Sequence, residues 1–110
     1  MTTAELLRVY LGERDKAEGK PLWQTIVLAA REAGLSGATV LRGPLGYGRS
    51  SRLHTARILD LSADLPVVIE IIDTAERIAA FLPRLASIAP DELVTIEAVR
   101  VVQGLESHAG

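Results

Sequence analysis

Pro66-Val67-Val68-Ile69-Glu70-Ile71-Ile72-Asp73 is the stretch on which the fold turns. Its run of β-branched residues reads as a strand, and proline is tolerated at a strand's first position. Val67, Ile69 and Ile71 share one parity; Val68 and Ile72 share the other. A strand with one solvated face alternates apolar with polar residues, and this one does not. It therefore belongs to a sheet whose second face also needs cover.

Downstream, Asp73 followed by Glu76 has the spacing of a capping box, so a helix is expected to start there with Asp73 as its N-cap. Ile78, Phe81, Leu82 and Leu85 mark its buried face, and Pro83 is expected to kink or split it. Ala89-Pro90-Asp91 reads as a turn, and Leu93 to Val102, rich in Val and Ile, as a last strand. Residues 1–103 are expected to form one domain, with 104–110 a flexible tail.

Upstream, Gly43 to Leu65 is too long for an ordinary connection. Its front half is turn-rich. Its back half, Leu53 to Leu61, fits either a strand extension or a helical turn. Before it, Ala38 to Arg42 is a short β-type run. Pro21 suits the first position of a helix carrying Leu22, Ile26, Ala29, Ala30 and Ala33 on one face, and Gly34 suits a left-handed stop. Gly12 to Lys20 reads as a charged loop and Glu5 to Leu11 as the first strand. The order is β-α-β, a long insertion, then β-α-β. That predicts an α+β, ferredoxin-like βαββαβ domain: a four-stranded antiparallel sheet with two helices on one face. The bare face predicts a homo-oligomer, because a lone copy exposes a large apolar patch.

The composition narrows the function. The chain has 110 residues, 48% of them apolar, with mean hydropathy +0.24 and an acidic isoelectric point near 5.6. Its aromatics are Tyr10, Trp23, Tyr47 and Phe81, so the core must be aliphatic. No apolar run reaches the roughly 20 residues that span a bilayer, and Met1 to Glu5 carries no basic start of a signal peptide. There is no cysteine, which excludes disulfides, thiolate metal sites and cysteine nucleophiles and fits a cytoplasmic location. His54 and His108 are too far apart in sequence to suggest a metal centre. No Ser-His-Asp order is legible, and Asp60 and Asp64 read as turn residues. No enzymatic activity is expected, and no metal.

Charge is concentrated in one place. From Ala33 to Leu59 there is no Asp or Glu, while Arg42, Arg49, Arg52 and Arg57 all fall there. The whole chain sums to −2, so the remainder carries 8 basic and 14 acidic residues, or −6. A cationic, glycine-punctuated island on an acidic protein suggests an anion site or a partner-facing surface. Gly46 and Gly48 allow backbone N–H groups to approach a ligand, and arginine forks suit phosphate or carboxylate. Tyr47 suits stacking or anchoring the loop.

Gly37-Ala38-Thr39-Val40-Leu41-Arg42-Gly43-Pro44-Leu45-Gly46-Tyr47-Gly48-Arg49, followed by Leu65-Pro66-Val67-Val68-Ile69-Glu70 and Asp73, resembles the PII signalling proteins. It is closer still to an uncharacterised PII-like branch, often encoded beside CrcB-type fluoride channels. The resemblance implies a homotrimer that binds an effector, such as an adenine nucleotide, in intersubunit clefts. It implies a mobile T-loop that docks on a partner protein, with a membrane transporter or fluoride channel the suggested partner. Carried onto this chain, the resemblance places Thr39, Gly46, Tyr47, Gly48 and Arg49 at the effector site; Arg42 and Arg52 are expected to add charge to it, and Arg100 to reach it from the last strand. Two departures stand out. Ser50 replaces the PII glutamine, and Ala86 to Leu93 lacks the second glycine-rich phosphate loop, so neither 2-oxoglutarate sensing nor PII-style ATP binding is implied. The alternatives are a constitutive interaction module of a transporter that senses no ligand, and an RNA-binding sheet. RNA binding needs exposed aromatics on central strands, and only Tyr10 is offered, so no nucleic-acid partner is expected.

Overall fold

The computed structural model describes residues 1–47, 53–55 and 64–105. The chain runs β1 (Thr2–Gly12), β2 (Lys16–Ala17), β3 (Lys20–Pro21), α1 (Leu22–Glu32), β4 (Thr39–Arg42), β5 (Leu45–Tyr47), β6 (Leu53–Thr55), β7 (Pro66–Asp73), α2 (Ala75–Ile88) and β8 (Leu93–Val101). The main sheet has the order β4-β7-β1-β8, with every pairing antiparallel. This is the expected ferredoxin-like α+β fold.

The core lies between this sheet and the two helices. Leu7, Val9, Val67, Ile69 and Ile71 point to the helix side, where Ile26, Ile78, Phe81 and Leu85 meet them. These side chains are aliphatic save for one phenylalanine. β1 is longer than its hydrophobic alternation suggests, because its first residues pair with the end of β8, Thr2 opposite Val101.

α1 stops as expected. Gly34 has φ +80°, its N–H donates to Arg31 O, and the N–H of buried Leu35 donates to Ala30 O. That is the Schellman pattern with its accompanying apolar residue. Ala33, expected on the buried face, is exposed at the cap. The segment expected as a plain loop holds the small β2–β3 hairpin. Its turn residues Glu18 (φ 52°) and Gly19 (φ 78°) are both left-handed, as a type I′ turn requires.

Two expectations for α2 are corrected. Thr74, not Asp73, is the N-cap: its hydroxyl oxygen accepts from Arg77 N at 3.2 Å. Asp73 is the last residue of β7 and fully buried, and its carboxylate accepts from Ser36 N (2.9 Å), Ser36 Oγ (3.2 Å) and Thr74 N (2.7 Å). It ties the link before β4 to the start of α2. Of the two outcomes expected of Pro83, a kink or a split, the split does not occur: the helix runs uninterrupted to Ile88. The carbonyl deprived of a donor is Ala79's, on an exposed stretch where water can satisfy it. Ile78, Phe81 and Leu85 hold the opposite side down.

The other sheet face carries no helix. Tyr10, Leu41, Ile72 and Leu93 are exposed on it. At its centre Arg8 bridges two strands, with Nε 2.9 Å from Glu70 Oε2 and a second ion pair to Glu97. The hydrogen bond to Glu70 is the main cause that raises the Arg8 pKa above its ordinary value. No helix among the described residues is long and apolar enough to cross a membrane.

Candidate functional site: the base of the arginine-rich insertion

The insertion leaves the sheet at the end of β4 and returns at the start of β7, so its two legs stand side by side. Gly43 N donates to Pro66 O at 2.8 Å and pins them together. Above this contact β5 and β6 form an antiparallel ladder, with Leu45 opposite Thr55 and Tyr47 opposite Leu53. The strand reading of the back half therefore holds for Leu53–Thr55.

Pro66 dictates where glycine is needed. A Cβ on Gly43 would lie 3.1 Å from Pro66 Cγ, and one on Gly46 would lie 3.2 Å from Pro66 Cβ. The Gly46 position is thus already accounted for by close packing of the loop on a proline ring.

A second clasp comes from the turn after β1. Glu13 N donates to Leu65 O at 2.8 Å, and its carboxylate lies 2.7 Å from Arg42 NH2. Glu13 thereby touches both legs. Next to it, Arg14 N donates to Oδ1 of the buried Asp64 at 3.0 Å. Beneath the Arg42–Glu13 pair is an open cavity of about 150 Å³, lined by Glu13, Trp23, Val40, Arg42 and Val67.

Of the residues expected to bind an effector, Arg42 and Gly46 meet at this base. Tyr47 sits just above it, 75% exposed. Thr39 lies on the same strand but pairs with Glu70 over the open sheet face, away from the cavity. Arg100 stands on β8, at the opposite edge of the sheet. Gly48, Arg49 and Arg52 lie outside the described residues, as does Arg57. Among the described residues no cluster of His, Asp or Glu is arranged to hold a metal. Sequence reading missed Glu13 and assigned Asp64 to a turn. Their partners are 29 and 50 positions away, and no local pattern announces such pairings.

Comparison with known proteins places the chain. The family described as DUF190, Uncharacterized ACR, COG1993, matches residues 4–101. A UPF0166 protein of Aquifex aeolicus is 39% identical over 98 residues, covering 89% of this chain and 92% of its own. A UPF0166 protein of Methanocaldococcus jannaschii is 37% identical, covering 94% and 96%. Among solved structures, CPII, a nitrogen regulatory PII-like protein from Thiomonas intermedia K12 bound to ADP, AMP and bicarbonate, superposes with a TM-score of 0.71. It does so over 93% of this chain and 91% of its own, at 14% identity. The fold is therefore that of PII-like proteins, and by sequence the chain belongs to the DUF190 family.

Proposed function

We propose that this chain is a non-enzymatic, cytoplasmic PII-like regulator. It acts as a homotrimer that takes a small anionic effector, foremost an adenine nucleotide, in clefts between subunits. The insertion from Gly43 to Arg57 passes the bound state to a partner protein, for which a membrane transporter is the first candidate. The observation that carries this reading is the superposition, over nearly the full chain, on a PII-like protein bound to ADP, AMP and bicarbonate.

Two features of the chain support it. The open sheet face exposes Tyr10, Leu41, Ile72 and Leu93 and gains by being covered. The arginines also stand at opposite sheet edges and near opposite strand ends: Arg42 on β4 is level with Leu11 of β1 and Arg100 on β8 with Thr3, three strands across and eight residues along, about 30 Å apart. One subunit cannot bring both to one small anion. A neighbour offering its β8 edge to this subunit's β4 edge can, and pairing of unlike edges forms a ring where the rotation between copies closes. Effector binding then shifts the loop population to the extent that it favours one loop state.

The test is a complementation of defects. Arg42→Ala and Arg100→Ala each remove one half of every cleft. Each alone is expected to weaken ADP binding at least tenfold by calorimetry. Co-refolded mixtures are expected to recover a fraction of full-affinity sites, because some clefts draw each arginine from an intact subunit. Wild-type protein that shows no heat with ADP, AMP or ATP contradicts the nucleotide reading. Mixtures that recover nothing contradict the shared cleft.

A further inference from the structure

The cavity under Arg42 has chemistry of its own. Its walls are mainly apolar, from Trp23, Val40 and Val67, and its polar rim is the Arg42–Glu13 pair. A concave apolar space with one well-placed charge is the usual form of a small-molecule site. Arg42 keeps 59% of its side chain exposed, so its guanidinium is reachable from solvent. The anion now on it is a carboxylate, supplied by Glu13 of the same chain at 2.7 Å. A guanidinium fork fits a carboxylate from solution equally well. The size suits a small body: the cavity, open to solvent, has about 150 Å³, the volume that holds a benzene-sized group.

The geometry points to a binding site for a small monocarboxylate with a compact apolar body, whose head displaces Glu13 from Arg42 and whose body packs on Trp23. Glu13 is the tethered competitor of that ligand. It also holds the returning leg of the insertion through its N–H to Leu65 O, so occupation of the cavity bears directly on the loop base. This site lies within one subunit and shares Arg42 with the proposed nucleotide cleft, so the two ligands compete for that guanidinium.

Trp23 is the sole tryptophan, so its emission reports on the cavity without a label. Sodium pentanoate is titrated against wild type, Glu13→Gln and Arg42→Gln, with pentanamide as the neutral control and far-UV circular dichroism to verify folding. Pentanoate is expected to shift Trp23 emission saturably, and pentanamide at equal concentration is not. Glu13→Gln is expected to tighten binding about two- to five-fold, the range set by losing a half-exposed ion pair that competes with the ligand. Arg42→Gln is expected to abolish the response. No saturable shift in Glu13→Gln, an equal response to pentanamide, or undiminished affinity in Arg42→Gln overturns the assignment. A parallel ADP melting series separates the two claims. ADP stabilisation with no pentanoate response sinks this site alone, and the reverse sinks the nucleotide reading alone.

Discussion

Pro66 is the residue around which the loop base is built. A Cβ at Gly43 or Gly46 would press on its ring, which would have to give by a few tenths of an ångström, and its carbonyl accepts from Gly43 N. Gly46→Ala is therefore expected to destabilise the fold by about 1–2 kcal/mol through overpacking. Pro66→Ala in the same chain should return most of that loss. Thermal melts of the two single variants and the double variant check the coupling, and strict additivity would contradict the packing account. Glu92 gives a prediction with a sign in pH. Partial burial raises its carboxyl pKa above 4.5, and the nearby charges of Asp15 and Asp91 add to the effect. The folded state then holds this proton more tightly than the unfolded chain. Glu92 contributes most favourably below its ordinary pKa, and stability is lost as pH rises through the higher folded value. Glu92→Gln should melt higher than wild type at pH 7, with the gain gone by about pH 4. A gain of equal size at both pH values would rule out the charge as its cause. At this scale the sequence was only half legible. The cationic island is visible as composition, but the need for glycine at position 46 appears only once Pro66, twenty positions later, lies beneath it.

Elements were easier to read than their ends. The β-branched run of β7, the apolar stripes of both helices and the stop at Gly34 depend on residues close in sequence, and the structure has them save for Ala33 at the end of the α1 stripe. The errors fall where a distant partner overrides the local pattern. Asp73 looks like a cap, but burial makes it a buried acceptor for the Ser36 link, and Thr74 takes over the cap. Thr74→Ala should therefore cost about 1 kcal/mol, the ordinary loss of a cap. Asp73→Ala should cost more, about 3 kcal/mol, because it removes three hydrogen bonds at once and leaves the half-buried Ser36 and Thr74 N–H groups without their acceptor. Urea denaturation of both variants decides the ranking. A larger loss for Thr74→Ala would restore Asp73 to a minor role. Pro83 teaches the same lesson in reverse: a local helix breaker is tolerated because three buried side chains on the far face outweigh one missing hydrogen bond.

At the scale of the molecule, the order of elements was legible because two βαβ units with helices on one side leave few ways to arrange four strands. The bare second face was legible too, from the double parity of β7. Its centre was not: Arg8 with Glu70 and Glu97 places an ion network among Tyr10, Ile72 and Leu93. Arg8→Met leaves two carboxylates flanking β1 without their shared cation. In the proposed trimer this should weaken assembly more at low salt than at high salt, where repulsion between them is screened. Size-exclusion chromatography at two salt concentrations reads the difference, and an assembly insensitive to salt would remove the network from the interface. The effector cleft, the response of the loop and the complementation of Arg42 by Arg100 all require sister copies to share that face and the sheet edges beside it. Sedimentation equilibrium of the wild type at micromolar concentration tests this most directly. The account predicts a single species of three times 11.8 kDa, and a stable particle of 11.8 kDa would contradict it.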